Sequence, residues 1–369
     1  MLTRTSLVWR LGPPIIAFLL ARALLIQAAA SAQQDGWSAV SYSRWDSAHY
    51  LSIAERGYEF FSCARLPGYD PTEFCGNTGW LPAFPLLIRF FTALNLPPIP
   101  SGAWISGGFA LATLLLLWNC FLGPQASAAG LLSLALAAFF PGHVYHHAVF
   151  PISMCSFFQL LAIWAYVNQR FAWAGVAGAV ASFSYSSGVF LAGVFALDSL
   201  WKNREQPLVH RIGRGALTSG LVAVGFVAFL IMLHFEVGVW RAYFLVQAKY
   251  GYGPHMPWVV LAGHLRNALR AAPEFQTLLV LITVCCFVWA AWRSPRKHLD
   301  RVLVIFSVIY WLIPLCLGGN LSLYRAEAML LPGVPLSAKL PLPVLILLLL
   351  LALVAASKMD ILFFRNVLV

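Results

Sequence analysis

Charged side chains are scarce in this protein, and their scarcity restricts its class. Asp, Glu, Lys and Arg make up 10% of its 369 residues, against roughly 25% in a soluble globular domain. So few charges cannot solvate the surface of a chain of this length, which excludes a cytosolic enzyme. A disordered chain and a secreted disulfide scaffold are excluded as well, because 60% of the residues are hydrophobic and apolar runs dominate the sequence.

The mean hydropathy of the chain is accordingly high, at +0.78. The 24 Lys and Arg outnumber the 13 Asp and Glu, which gives a formal net charge of +11. These cations cluster in short connections between the apolar runs, as the positive-inside rule describes for cytoplasmic loops. No long soluble stretch carries them, so we expect membrane lipids, and not nucleic acid, as their partner. The sequence predicts a multi-span membrane protein.

A helix crosses the bilayer with about 20 apolar residues. Arg22, within the first apolar run, favours an uncleaved span over a signal peptide. The basic connections at 201–214 and 293–301 are then cytoplasmic, as are Lys358 and Arg365 after the last span. After a cytoplasmic N-terminus we predict about ten spans, near residues 7–30, 101–122, 126–140, 151–167, 171–184, 186–200, 215–235, 275–292, 302–317 and 329–355.

The predicted fold is one all-α polytopic membrane domain over residues 1–369, with outer loops at 31–100 and 236–274. The first outer loop is acidic, since six of the thirteen Asp and Glu lie between residues 31 and 79. Near its end, the segment "GWLPAFPLLIRFF" is too short and too interrupted by proline to cross the bilayer. We predict an interfacial helix there, on the outer face.

Two of the seven cysteines, Cys63 and Cys75, lie in this outer loop. In an oxidising compartment the pair forms a disulfide, and the alternative is two free thiols. The other five lie in apolar segments, where cysteine behaves as a small core residue.

The segment "SRWDSAHYLSIAERGY", which begins at Ser43, concentrates polar groups in the first outer loop. Its pattern predicts an amphipathic helix that starts after Ser43 and ends at Gly57. On that helix Asp46, His49 and Tyr50 share one face. Asp46 is either part of a capping box that only stabilises the helix, or a general base that His49 or Tyr50 orients. The pattern alone does not decide between these interpretations.

Several segments resemble the signature of a known family. The run "RWDSAHYLSIAERGY", followed by "GWLPAFPLLIRFF", is similar to the Trp-Asp, Tyr-Leu, Ile-Ala, Gly-Tyr and Phe-Pro-Leu pattern of the second GPI mannosyltransferase family and its bacterial relatives. More weakly, "WRAYFLVQAKYGYG" places Gln247 in a Phe-x-x-x-Gln-like segment, and "LSLYRAEAMLLPG" places Arg325 before the last span. That family belongs to the GT-C superfamily of multi-span glycosyltransferases, which use lipid-phosphate sugars.

The resemblance implies a GT-C-like helical bundle that moves a hexose, with mannose expected, from a polyprenyl- or dolichyl-phosphate donor to a glycolipid or glycan acceptor. Asp46 is then the base that deprotonates the acceptor hydroxyl, and direct attack inverts the sugar centre. The lipid phosphate is a good leaving group, so we expect no cofactor beyond the donor substrate itself. The residues expected to bind substrate are Arg44, Trp45, His49, Tyr50, Arg89, His146, His147, Arg241, Gln247, Lys249 and Arg325.

Several of these residues also have simpler interpretations. A cation at the membrane surface commonly snorkels toward the headgroups without any catalytic role. The candidates for the departing phosphate, to which this alternative applies, are Arg325, Arg241, Lys249 and Arg89. For His146 and His147 we expect contact with phosphate or with the interface and no metal, because adjacent histidines do not share a helix face and no acid lies nearby in sequence.

Two departures from the family pattern keep other functions open. The family has a glutamate where this chain has Ile152 and an arginine where it has Tyr185, and charges within a membrane are usually functional. A non-catalytic relative that binds lipid-phosphate sugar is therefore one alternative, and a lipid or solute transporter is another. The expected location is a bacterial plasma membrane, or the endoplasmic reticulum membrane in a eukaryote.

Overall fold

Apolar helices build nearly the whole of this protein. The computed structural model describes residues 7–123, 127–201, 208–293, 298–318 and 322–368. The α-helices in these ranges are α1 Leu7–Ser31, α2 Ser47–Arg56, α3 Ala83–Ala93, α4 Pro98–Leu117, α5 Ala128–Ala138, α6 Val144–His147, α7 Ile152–Val167, α8 Phe171–Ser184, α9 Phe190–Trp201, α10 Leu208–Val237, α11 Ala242–Ala248, α12 Pro257–Leu265, α13 Ala272–Arg293, α14 His298–Cys316, α15 Leu323–Ala328 and α16 Leu342–Phe364.

Six helical segments in the described ranges are long and apolar enough to cross a membrane. They are Leu7–Ser31, Pro98–Leu122, Ile212–Val237, Ala272–Arg293, His298–Cys316 and Leu342–Phe364. In an 18-residue apolar stretch of each, between 28% and 44% of the residues are buried inside the protein, and the others are left at least partly exposed to lipid. The predicted all-α polytopic class is confirmed.

Four of the ten predicted spans are shorter helices. The helices α5, α7, α8 and α9 have 11, 16, 14 and 12 residues, fewer than the roughly 20 that cross a bilayer. A helix buried among other helices is apolar on all sides, as a span is, so hydropathy does not separate the two. Ten complete spans were predicted. The structure has six long segments, and the four shorter helices pack between these segments.

The last predicted span, residues 329–355, divides into two parts. Leu331–Lys339 forms a 3₁₀ helix that is buried over most of its length, and α16 begins only at Leu342. Pro332 and Pro335 cannot donate the backbone hydrogen bonds of an α-helix, which accounts for the division. Irregular backbone at membrane depth is tolerated inside protein, and this segment packs against α5, α13 and α14.

The 3₁₀ segment crosses the bundle, so α16 runs opposite to the predicted direction. At its start, Lys339 forms an ion pair with Asp300, at the beginning of α14. Toward its end, the Lys358 ammonium lies 6.0 Å from the ring centre of Phe275, at the beginning of α13. Since α13 ends just before α14 begins, the two contacts lie on opposite sides of the bundle.

The end of α16 accordingly lies with the first outer loop. Phe364 packs edge-on against Tyr42 of that loop, with ring centres 5.3 Å apart. Lys358 and Arg365 were predicted at the end of the bundle opposite the first outer loop and instead lie at the same end, because the chain crosses twice where a single span was expected. The basic connections at 201–214 and 293–301 lie partly outside the described residues.

The first outer loop is well structured. Strands β1 Phe60–Ser62 and β2 Phe74–Gly76 pair antiparallel, and a disulfide joins Cys63 to Cys75, which is one of the two predicted alternatives. The predicted interfacial helix is α3, which buries one face against the bundle and leaves Phe90 58% exposed.

Candidate active site

Asp46 lies at the start of α2 but does not cap it. The helix begins at Ser47, and the Asp46 side chain makes no capping hydrogen bond. Ser43 ends the preceding 3₁₀ turn, Ala39–Tyr42, so of the two interpretations of Asp46 the capping box is wrong. Trp45 between them has a φ of +48°, which is uncommon and strained for a residue with a side chain. The Asp46 carboxylate is therefore not bound by the backbone of α2.

The Asp46 carboxylate forms an ion pair with Arg325, 279 residues away in the sequence. The Arg325 side chain is 9% exposed and that of Asp46 is 25% exposed, so the guanidinium is covered while the carboxylate remains partly open. The guanidinium also lies 5.9 Å from the ring centre of Phe150. Its Nε is buried and has no hydrogen-bond partner among the described residues. Two residues identified from separate motifs therefore make one site.

The short helix α15 is firmly anchored, and this anchoring holds Arg325 in place. Gln276 of α13 donates to the Tyr324 carbonyl at 3.0 Å and to the Glu327 carboxylate at 2.8 Å. Burial raises the pKa of Glu327 to about 7, against the opposing effect of this hydrogen bond. His146 adds a 3.3 Å contact from Nε2 to the carbonyl of the last residue of α15.

An aromatic wall stands beside Asp46. The His49 ring stacks on Trp80 with centres 3.5 Å apart, and Tyr250 meets the same indole edge-on at 6.2 Å. Burial lowers the pKa of His49, and the Asp46 charge opposes this shift in part. Tyr50 is fully buried between two phenylalanine rings, and burial raises its pKa well above the ordinary value. His49 thus borders the site, while Tyr50 belongs to the core beneath it.

The second outer loop closes over this wall. Gln247 donates through Nε2 to the Gly79 carbonyl at 2.8 Å, so its side chain joins the two loops. Lys249 lies 3.7 Å from Sγ of Cys75 and 4.9 Å from the ring centre of Tyr250. Burial lowers the pKa of this lysine. Lys249 therefore places a cation at the rim of the site, near the disulfide-bonded hairpin.

Three other predicted cations have different contacts. Arg89 donates to two backbone carbonyls in the last turn of α2, at 2.7 and 2.8 Å. Arg44 donates to the side chain of Gln34 at 3.0 Å. Arg241 is exposed beside the ring of Trp240. Of the four cations predicted to hold phosphate, Arg325 is the one that contacts Asp46 within the part of the chain that the structure describes.

His146 and His147 are buried together with His143. His143 has an acidic neighbour, Asp360, that the sequence analysis did not identify. Oδ2 of Asp360, in α16, lies 3.4 Å from Nε2 of His143. An acid within an apolar span is costly to bury unless it is paired, and this was the available signal for Asp360. In the ranges described here, no group of three or more His, Cys, Asp or Glu side chains is arranged to hold a metal ion.

The two positions that depart from the family pattern differ in their surroundings. Ile152 is fully buried at the start of α7. Tyr185 follows α8 in an extended conformation, and its hydroxyl lies within electrostatic range of both Arg325 and Asp46. A neutral phenol therefore stands close to the ion pair at the position of the family's arginine.

The helices form an all-α polytopic membrane protein, and their arrangement is similar to that of a solved membrane glycosyltransferase. The crystal structure of the Archaeoglobus fulgidus oligosaccharyltransferase in its apo form is similar, with a TM-score of 0.51 and 13% identity over 98% of this chain and 56% of that one. For the archaeal oligosaccharyltransferase AglB from the same organism, in complex with an inhibitory peptide and a dolichol-phosphate, the TM-score is 0.49, with the same identity and coverage.

This chain spans little more than half the length of those structures. A comparison with protein families finds none that matches, and a comparison with curated proteins finds no similar sequence. The structural likeness shows the fold alone.

Proposed function

We propose that this chain is an integral-membrane glycosyltransferase. It transfers a hexose from a polyprenyl-phosphate donor to a hydroxyl of a lipid-linked or glycan acceptor on the outer face of the membrane. Mannose is the proposed hexose because of the resemblance to the second GPI mannosyltransferase family. The observation that carries the proposal is the pairing of Asp46 with Arg325 in a partly open site, since this reaction requires a base and a cation for the leaving phosphate.

Asp46 supplies the base in this mechanism. The acceptor hydroxyl oxygen attacks the anomeric carbon, and its proton passes to the Asp46 carboxylate. The bond between that carbon and the phosphate oxygen breaks, and its electron pair leaves with the lipid phosphate. Attack opposite to the leaving group inverts the centre, so a β-linked donor gives an α-linked product. The carboxylate is accessible for this role because a quarter of its side chain is exposed.

Arg325 supplies the positive charge at the leaving group. A guanidinium matches phosphate oxygens through its planar fork of N–H groups, and its burial removes the competing solvent. The Tyr185 hydroxyl lies within electrostatic range of this pair and adds a neutral hydrogen-bond donor to the site.

The fold and the aromatic wall support the same class of function. The similar solved structure is an oligosaccharyltransferase, which by its name transfers a sugar chain. Aromatic side chains combine an apolar face with polar edges, so the His49, Trp80 and Tyr250 wall suits the apolar face of a sugar ring. The transporter alternative has no comparable support from this site.

Labelled sugar transfer tests the proposal. Membranes that contain this chain should move label from polyprenyl-phosphate mannose into a lipid or glycan fraction, and membranes with Asp46→Asn should not. GDP-mannose in the absence of the lipid carrier is the matched control and should give no transfer. If wild-type protein binds the lipid donor without transfer, the non-catalytic relative is correct. If it only moves lipid between leaflets, the transporter is correct.

A further inference from the structure

The Asp46–Arg325 ion pair occupies both groups that the proposed reaction needs. The Arg325 guanidinium binds the Asp46 carboxylate where the donor phosphate would bind. One oxygen of Asp46 is occupied by the same contact. We propose that the pair is a latch that the donor opens: the phosphate of a prenyl-phosphate compound displaces Asp46 from Arg325, and Asp46 becomes free to act as the base. This inference rests on the proposed function and concerns the regulation of the same site.

Arg325 has the properties needed to bind a second anion. Its side chain is more than nine-tenths buried, and its Nε has no partner among the described residues. Buried donors without a partner are rare in folded proteins, so this N–H indicates a ligand. The contacts of Gln276 with α15 keep the guanidinium in place when its carboxylate partner leaves.

Asp46 is held less firmly than Arg325, so we expect the Asp46 side chain to move when the pair separates. Its side chain makes no hydrogen bond to the first turn of α2, and Trp45 before it has a strained φ of +48°. The N-terminus of this ten-residue helix carries a partial positive charge, which stabilises a carboxylate that has lost its partner. Opening the latch therefore requires a side chain to turn, with the helices left where they are.

The latch has a thermodynamic consequence that a plain base does not have. When a closed state competes with a ligand, the apparent dissociation constant is the intrinsic one divided by the open fraction. A neutral residue at position 46 leaves Arg325 without its ionic partner and raises the open fraction. Asp46→Asn should therefore bind prenyl phosphate more tightly than wild type, although it transfers no sugar.

Binding of farnesyl monophosphate to the purified full-length protein in detergent tests the latch by isothermal titration calorimetry. We expect Asp46→Asn to lower the dissociation constant by about tenfold, the factor for a latch closed nine-tenths of the time. Asp46→Glu retains the charge and should stay close to wild type. The matched control is Glu55→Gln, which removes one negative charge from the exposed side of α2 and should also leave the affinity unchanged.

The outcomes separate the latch from the proposed function. Equal affinity of wild type and Asp46→Asn overturns the latch, and sugar transfer by the wild type then keeps the proposed function intact. Equal tightening in Glu55→Gln indicates a general charge effect and also overturns the latch. If no form binds farnesyl monophosphate, the latch is overturned, and sugar transfer by the wild type decides the proposed function separately. Thermal unfolding checks each variant, and Asp46→Ser replaces Asp46→Asn in the same comparison if the latter does not fold.

Discussion

Burial distinguishes Arg325 from the other arginines near the site. Its charge lies behind Asp46 with only 9% of the side chain exposed, where solvent and salt screen it less than a surface charge. The exposed Arg241, by contrast, lies beside Trp240 at the surface, as a snorkelling cation does. The two arginines have the same chemistry and are expected to differ widely in function.

Arg325→Ala should lower the rate of sugar transfer by roughly 10²–10³-fold, the scale for removal of one preorganised charge-stabilising donor. Arg325→Lys should restore only part of that rate, because an ammonium cannot reproduce the guanidinium fork. Initial rates with polyprenyl-phosphate mannose provide the measurement. Arg241→Ala is the matched control and should stay near wild type. A normal rate for Arg325→Ala would show that another cation binds the leaving phosphate, and Lys249 at the rim would be the next candidate.

The sequence indicated both members of the ion pair because each lies in a recognisable motif. It did not indicate that they touch, since contacts between positions 279 residues apart leave no local pattern. Asp360 was missed because one acid in an apolar helix has no motif, and its partner His143 lies far away in the sequence. The capping box at Ser43 stayed open as an interpretation because the strained turn at Trp45 cannot be inferred from residue types.

The turn before α6 packs closely against α15, and the position of α15 depends on this contact. Gly142 in that turn has a φ of +78°, and a Cβ there would lie 2.9 Å from both the Ala328 Cβ and the Tyr324 carbonyl oxygen. A side chain at this position would be strained and would push against α15. The glycine thereby allows the contact that positions Arg325.

Gly142→Ala should destabilise the protein by about 1 kcal/mol or more, since the native φ is unfavourable for alanine, and should lower the transfer rate by shifting α15. Thermal unfolding and initial rates measure the two effects. Gly108→Ala in α4 is the control, because a Cβ there meets nothing within 4 Å and alanine is the better helix former. Unchanged stability and rate in Gly142→Ala would show that this approach does not position the site.

The sequence predicted the presence of the helices more successfully than the residues at which they begin and end. Long apolar runs correctly located the six long segments, and proline marked the break before α16. The 3₁₀ crossing at Leu331–Lys339 could not be predicted, because hydropathy does not distinguish a buried irregular segment from part of a span. Counting it as part of one span reversed the predicted direction of α16.

The direction of α16 decides the arrangement of the whole molecule. Its end lies with the first outer loop, so the site is framed by segments from the beginning, the middle and the end of the chain. It follows that the residues after α16 share a membrane side with the disulfide-bonded hairpin.

Labelling with a membrane-impermeant maleimide tests this arrangement. A cysteine at Asn366, which is exposed after α16, should react in intact cells, as should one at Gly68 in the hairpin loop. A cysteine at the exposed Asn168, between α7 and α8, should react only after permeabilisation. Reaction of the Asn366 site only after permeabilisation would restore the predicted cytoplasmic end and contradict the 3₁₀ crossing.

The central claim is that Asp46 is the base, and the transfer rate of purified Asp46→Asn tests it most directly. Asparagine keeps the size of the side chain and can still accept a hydrogen bond from Arg325, but its amide does not take up the acceptor proton. General-base catalysis is worth roughly 10²–10⁴-fold, so the rate should fall at least 100-fold while the variant stays folded and Glu55→Gln stays near wild type. A rate for Asp46→Asn above about a tenth of the wild-type value, outside that range, would contradict the account.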